Sequence, residues 1–175
     1  MIVTTESDHG DTHVHMLQCP VKPKGVYRSR VLAMRDMRTA NGRDAESGDG
    51  EGNGSWIGLA LGMMVLDTLT PESERVRVRW LRLLTGSGIN NDDCEIIYQL
   101  RCSLLHGYGI PKPEKIGGRR LLLTSDHNAY AIDTNDRNVA TVSVPAFCRG
   151  LVERIVAETP EQNWDTSLIN INVSP

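Results

Sequence analysis

The chain has 175 residues, of which 39% are hydrophobic, and carries 19 basic and 22 acidic side chains. This length is sufficient for one domain with a substantial core. The net charge of -3 and the pI of about 5.9 argue against a histone-like protein and against strong attraction to membranes, although a local basic groove remains compatible with them.

The first 54 residues are polar and are expected to form a flexible N-terminal arm. Within this arm, residues 26–38 predict one helix. Residues 41–54 are rich in glycine and acidic residues and contain no large apolar residue, so they predict a disordered loop. The start of the chain has neither the basic nor the apolar region of a secretory signal, and the longest apolar run, 56–66, is too short to span a bilayer. We therefore expect a cytoplasmic protein with no membrane segment.

Three histidines and one cysteine in the arm raise the question of a metal site. His9, His13 and His15, with Cys19 beyond them, are the residue types that bind transition metals. The surrounding sequence predicts no rigid frame for them, so a solvated tail is favoured over a metal site. The remaining cysteines are widely spaced and form no CxxC pair, which indicates reduced thiols.

Two helices are predicted directly after the arm. Ser55 is a suitable N-cap for a helix that runs to about Leu69 and is apolar nearly all round, so it should be the most buried helix. Its Gly58 and Gly62 would allow close approach of a neighbouring segment. A second helix is predicted over 71–84. Its residues 75–79 alternate as a strand would, but the acidic start and the following apolar residues favour a helix.

The third predicted helix begins at Asn90 or Asn91 and ends at His106, with Gly107 in the left-handed position that follows a helix. After it, residues 119–124 and 129–133 predict a β-hairpin around a turn at 125–128, and 139–142 a third short strand. A last helix is predicted over 144–158, with an irregular tail beyond it. Its inward residues should be Phe147, Leu151, Val152 and Ile155.

Arg101 and His106 flank four residues near the end of the third helix. The first is a permanent cation, and histidine titrates near neutral pH. At about 100° per residue, Arg101 lies within the apolar half of the helix and His106 lies about 140° away. One regular helix therefore does not aim the two side chains at one point, although arginine is long and the last turn can unwind. An arginine on an apolar face must reach solvent or be paired.

Two interpretations of this pair stay open. In the first, Arg101 pairs with a carboxylate, and His106 ends the helix and interacts with its dipole. In the second, the pair binds a phosphate: Arg101 stabilises developing negative charge and His106 acts as base or acid. RNA cleavage through the 2'-hydroxyl needs one group to accept a proton and another to donate one. Because one histidine cannot serve both ends at once, this interpretation requires a dimer.

The segment Leu-Arg-Cys-Ser-Leu-Leu-His-Gly, residues 100–107, resembles the RX4H signature of the HEPN superfamily of helical domains, in particular its uncharacterised bacterial members. The resemblance covers about 55–164, which divides the chain into the arm 1–54, a helical domain 55–164 and a tail 165–175. It implies a mainly α fold: an HEPN-like helical bundle with a small β-hairpin between the motif helix and the C-terminal helix. It also implies a homodimer and a metal-independent endoribonuclease of toxin–antitoxin or defence type, with an antitoxin protein as partner. Arg101 and His106 would take the catalytic positions, with no cofactor and no metal.

The chain departs from the family pattern after the arginine, where a polar residue is frequent and Cys102 stands instead. An active ribonuclease, an RNA-binding descendant and a non-catalytic dimeric scaffold therefore all remain open. A separate RNA-binding candidate is the arginine-rich segment 75–82 around Trp80, for which a solvated helix face balanced by Glu72 and Glu74 is favoured. No phosphate-binding glycine loop or nucleophile elbow is present, which argues against nucleotide-hydrolysing and dinucleotide-dependent enzymes.

Overall fold

The computed structural model describes residues 26–69, 75–159 and 168–170, and these are mainly helical with a small three-stranded sheet, as predicted. The helices are α1 Ser29–Ala40, α2 Trp56–Asp67, α3 Val76–Gly86, α4 Asn91–Gly107 and α5 Glu153–Glu158. A 3-10 turn spans Pro113–Lys115 and a π-helical segment spans Ala146–Val152. The strands are β1 Val26–Arg28, β2 Arg120–Thr124, β3 Ile132–Asp133, β4 Val139–Ser143 and β5 Leu168–Asn170. Within the described ranges, no helix has the length and apolarity needed to cross a membrane.

Helix α2 forms the centre of the core, as its composition predicts. The Ser55 hydroxyl accepts a hydrogen bond from the Gly58 backbone N–H at 3.1 Å, which confirms the predicted N-cap. Leu59, Met63 and Leu66 are completely buried. Helix α1, the π-helical segment and α4 pack against this helix, whereas its Ile57 and Met64 are exposed.

Helix α1 and the segment after it, residues 29–54, belong to the same core, which corrects the flexibility and disordered loop expected for this part of the arm; residues 1–25 lie outside the described residues. Met34 and Met37 of α1 are fully buried. Residues 41–54 take a defined conformation, in which Arg43 donates hydrogen bonds to the Gly48 carbonyl and to Glu153. The loop carries no large apolar side chain, so its order depends on these buried polar contacts, which composition alone does not reveal.

Gly58 gives a direct test of the contact between α1 and α2. A Cβ atom at this position would lie 2.6 Å from Cγ of the buried Asn41 side chain. We therefore expect Gly58→Ala to lower the free energy of unfolding by about 1–3 kcal/mol, measured by urea denaturation, because the packed neighbour must move. Gly86, which has no atom within 4 Å of such a Cβ, is the matched control. Equal effects of the two substitutions would contradict the close approach.

Segments α3 and α4 are both helices, as predicted. The predicted C-terminal end of α4 needs a correction. Helix α3 is described from Val76, and the predicted start at residue 71 lies outside the described residues. Asn90 caps α4 by accepting from the Asp93 backbone N–H at 2.9 Å. The left-handed residue after α4 is Tyr108, and not Gly107, because the helix continues through that glycine.

The sheet differs from the predicted hairpin in its strand order, β2-β4-β3. Strand β2 pairs with β4 in parallel, Arg120 opposite Val139, and β3 pairs with β4 antiparallel, Ile132 opposite Val142. The hairpin therefore joins β3 to β4, and the predicted β2–β3 pairing is wrong. Strand β4 takes the central place because its Ala140, Val142 and Ser143 are buried.

The last predicted helix is confirmed in extent but begins with π-helical turns. The Glu153 backbone N–H bonds to the Cys148 carbonyl five residues earlier. All four predicted inward residues are buried, together with Cys148 and Val156. In the expected irregular tail, β5 pairs antiparallel with β1, Leu168 opposite Arg28.

Candidate functional site

Arg101 and His106 meet at the C-terminal end of α4. Nη1 of Arg101 lies 3.4 Å from Nε2 of His106. The angular separation predicted for a regular helix is overcome because the guanidinium stands at the end of a long, flexible side chain and His106 is exposed in the last turn. The structure therefore brings the two candidate residues together within one subunit.

Asp67 and Trp80 fix the guanidinium from the other side. Nη2 of Arg101 donates to Oδ2 of Asp67 at 2.8 Å, and Nε1 of Trp80 donates to Oδ1 of the same carboxylate at 2.5 Å. The Arg101 guanidinium carbon also lies 5.9 Å from the centre of the Trp80 ring. These contacts join the end of α2 to α3 and α4, so the position of Arg101 is set by three helices.

The Arg101 side chain is only 13% exposed, as its position on the apolar face predicts. Burial lowers the pKa of Arg101, but the hydrogen bond and charge of Asp67, with a further contact from Cys102, outweigh burial and raise that pKa. The guanidinium thus stays charged in a partly desolvated place, where its field is stronger than in water. Nε of Arg101 has no hydrogen-bond partner among the described residues.

The contact between the two side chains also constrains the proton on the imidazole. Arginine can only donate hydrogen bonds, so in a hydrogen bond between the two side chains Nη1 of Arg101 is the donor and Nε2 of His106 is the acceptor. An imidazole nitrogen beside a fixed cation is a group that can exchange a proton with a bound substrate.

Neither Asp67 nor Trp80 was among the residues predicted for the site. An acidic partner for Arg101 was expected without being identified. Asp67 is the only charged residue in helix α2. A single carboxylate in an otherwise apolar helix could have been identified from the sequence as the partner of Arg101. Trp80 had been considered as a base-stacking residue, but it is completely buried under Arg101 and cannot stack on a ligand.

Two further side chains approach the site. The Cys102 thiol contacts both Tyr98 and Arg101, and burial together with this contact raises the pKa of Tyr98. Tyr108, two residues beyond His106, is 62% exposed and touches Trp56 edge to face, with the ring centres 5.8 Å apart. Of the cysteines, those at 94, 102 and 148 are free, as predicted, and Cys19 lies outside the described residues.

The arginine-rich face of α3 is partly neutralised from α4. Nη2 of Arg77 lies 2.7 Å from Oε2 of Glu95. Glu72 and Glu74, the predicted partners, lie outside the described residues, as do His9, His13 and His15. Among the residues with a described position, no group of three potential metal ligands is present.

A concave region lies near the opposite end of α4. This groove of about 760 Å³ is lined by residues that include Asn90, His127, Tyr130, Arg149 and Arg154. Both arginines that line the groove already donate hydrogen bonds to backbone carbonyls. Arg149 donates to the Gly50 carbonyl at 3.3 Å and Arg154 to the Ser87 carbonyl at 3.1 Å. The groove therefore offers a ligand fewer free hydrogen-bond donors than its two arginines suggest.

Comparison of the chain with family models, with curated proteins and with solved structures gives no match. The family resemblance therefore depends on residues 100–107 and on the arrangement of the side chains that they carry. The same geometry is the basis of the proposal below.

Proposed function

We propose that the protein is an HEPN-like, metal-independent endoribonuclease of toxin–antitoxin or defence type, or an RNA-binding descendant of one. The observation that carries the proposal is the 3.4 Å approach of the Arg101 guanidinium to Nε2 of His106 at an exposed helix end. A permanent cation and an unprotonated imidazole nitrogen are the groups needed to bind a phosphodiester and to accept the proton of a neighbouring 2'-hydroxyl.

The chemistry assigned to the pair is transesterification. When substrate binds, a phosphate oxygen replaces Nε2 of His106 as the acceptor of the hydrogen bond from Nη1 of Arg101. Nε2 of His106 then takes the 2'-hydroxyl proton, the 2'-oxygen bonds to phosphorus, and Arg101 stabilises the extra negative charge on the phosphate oxygens. The bond to the 5'-oxygen then breaks and that oxygen must receive a proton, which gives a 2',3'-cyclic phosphate and a free 5'-hydroxyl. Asp67 holds Arg101 in place throughout, so little reorganisation is needed.

The second proton transfer is assigned to His106 of a second copy in a homodimer, which must be the protonated imidazolium when the reaction begins so that it can give this proton to the 5'-oxygen. Two exposed apolar residues of α2, Ile57 and Met64, are seven positions apart and so lie on one face of that helix. The Trp56–Tyr108 contact joins the start of this helix to the segment that follows His106. An apolar face next to the candidate site supports pairing of two subunits there.

The alternative is a non-catalytic dimeric scaffold or interaction protein in which both residues are structural. The contacts of Asp67 favour it, because they give Arg101 a complete structural role in joining α2, α3 and α4. In that case His106 would serve only as a favourable charge at the helix C-terminus.

The proposal is tested by incubating purified wild type and the Arg101→Ala/His106→Ala double variant with several single-stranded and structured RNAs at several salt concentrations. We expect the wild type to cleave RNA without added metal and in the presence of a chelator, and the double variant not to cleave. Equal cleavage by both proteins would refute the catalytic assignment. RNA binding without cleavage, weakened in the double variant, would identify the RNA-binding descendant.

A further inference from the structure

Tyr108 has a backbone conformation that its side chain disfavours. Its φ of 49° and ψ of 41° are left-handed, and it is the one non-glycine residue with positive φ in the part of the chain that the structure describes. Glycine, which adopts this conformation without strain, stands on both sides of it at positions 107 and 109. The chain places a tyrosine in a left-handed position that either neighbouring glycine could occupy without strain. This indicates that the tyrosine side chain has a role at this position.

Packing does not explain the tyrosine. The ring is 62% exposed, so it buries little apolar surface. Its aromatic contact is with Trp56, at an interplanar angle of 74°, and such an edge-to-face contact leaves most of the exposed ring available. An exposed aromatic ring held at a fixed place is suited to contact a flat ligand.

The backbone hydrogen bonds that end α4 fix the backbone of Tyr108 close to the helical turn that carries His106. The Tyr108 N–H bonds to the Leu104 carbonyl at 3.0 Å, and the Gly109 N–H bonds to the Ser103 carbonyl at 3.1 Å. The turn that carries Tyr108 is therefore tied to the same helical turn that carries His106. A nucleotide whose phosphate is bound by Arg101 and whose 2'-hydroxyl contacts His106 would bring a neighbouring base towards this turn.

We propose that Tyr108 stacks on a nucleobase adjacent to the phosphate held by Arg101 and His106, and so selects single-stranded RNA; this inference rests on the proposed function. Bases in a duplex are covered by their neighbours, whereas an unpaired base can stack on an aromatic side chain. Stacking tolerates every base, so the ring contributes affinity for unpaired RNA with little preference for sequence.

The test compares Tyr108→Ala, Tyr108→Phe and Tyr108→Gly with wild type, using a fluorescent single-stranded RNA for binding and the same RNA for cleavage. We expect Tyr108→Ala to raise Kd and KM by about 5- to 150-fold with kcat nearly unchanged. Tyr108→Phe retains the ring and should bind as wild type does. The dependence of affinity on salt should be unchanged in Tyr108→Ala and shallower in Arg101→Ala, because the arginine contacts phosphate and the tyrosine does not.

Tyr108→Gly separates recognition from folding. It removes the ring and relieves the left-handed strain, so we expect a melting temperature equal to or above that of wild type together with weakened RNA binding. Tyr130→Ala is the matched control, because Tyr130 is 76% exposed and lines the groove near the other end of α4. This control should leave RNA affinity unchanged.

Several outcomes would overturn the inference. A lower melting temperature of Tyr108→Gly would assign the ring to packing on Trp56, and a change of oligomeric state in Tyr108→Ala would assign it to the subunit interface. If Tyr108→Ala binds RNA as tightly as wild type does, the stacking role is rejected. The proposed function still stands in that case, provided that His106→Ala loses cleavage. If wild type neither binds nor cleaves single-stranded RNA, both proposals fail.

Discussion

Replacing Glu153 with alanine is expected to lower the free energy of unfolding by about 3–5 kcal/mol, because two buried guanidinium groups lose their shared counter-charge. Oε1 of Glu153 lies 3.0 Å from Nε of Arg38 and 2.7 Å from Nη1 of Arg43, and the two arginine side chains are 1% and 2% exposed. Arg38 also donates to the Glu46 carbonyl at 2.6 Å. The carboxylate thus connects the last helix to α1 and to the loop 41–54.

Urea denaturation followed by circular dichroism measures this effect, with Glu158→Ala as the matched control. Glu158 lies in the same short helix, but its pair with Arg154 is exposed, with an N–O distance of 3.7 Å. Exposed pairs of this kind contribute about 0–1 kcal/mol, so the control should remain close to wild type. Similar losses in the two variants would show that Glu153 does not hold the loop.

The contribution of Glu153 to the free energy of unfolding depends on pH, and the direction of this dependence follows from its pKa. Burial raises the pKa of Glu153, but the hydrogen bonds from Arg38 and Arg43 outweigh burial and hold the pKa below its ordinary value of 4.5. A carboxylate whose pKa is lower in the folded state stabilises the protein above its unfolded-state pKa, and this stability is lost as the pH falls through the folded-state value. The difference between wild type and Glu153→Ala should therefore be constant near neutral pH and narrow below about pH 4.5.

The helices were predictable because they follow from local signals. Ser55 and Asn90 each cap a helix through a side-chain oxygen, and the apolar residues of α4 recur at helical spacing, so the pattern that predicts α4 also predicts its buried face. The need for a partner to Arg101 also followed from its position on an apolar face. These predictions require no knowledge of distant parts of the chain.

The features that the sequence did not predict depend on contacts between residues far apart in the chain. The loop 41–54 is ordered through Glu153, more than a hundred residues later, and composition cannot reveal such a partner. The pairing of β2 with β4 depends on which strand is most buried, which a turn motif at 125–128 does not report. The approach of Arg101 to His106 required a side-chain conformation that Asp67 and Trp80 select.

Replacing His106 alone with alanine is expected to lower the rate of RNA cleavage by about 10²- to 10⁴-fold, the usual contribution of a general base. The side chain is exposed at the end of α4, so the same substitution should change the free energy of unfolding by no more than about 1 kcal/mol, the contribution of a charge at a helix terminus. Cleavage kinetics and urea denaturation of one preparation measure both quantities. A large kinetic loss with small loss of stability is the signature of a residue that acts on the substrate.

Two variants separate catalysis from structure. His127→Ala removes another exposed histidine, one that lies in the turn at 125–128, and should leave cleavage unchanged. Asp67→Ala leaves the guanidinium of Arg101 and Nε1 of Trp80 without their acceptor, so we expect it to lower stability more than His106→Ala does. If His106→Ala instead lowers the melting temperature and leaves cleavage unchanged, then His106 serves the helix end and the scaffold interpretation stands. The two interpretations thus predict opposite changes for a single substitution, because a general base acts on the rate of reaction and a helix-terminal charge acts on the folded state.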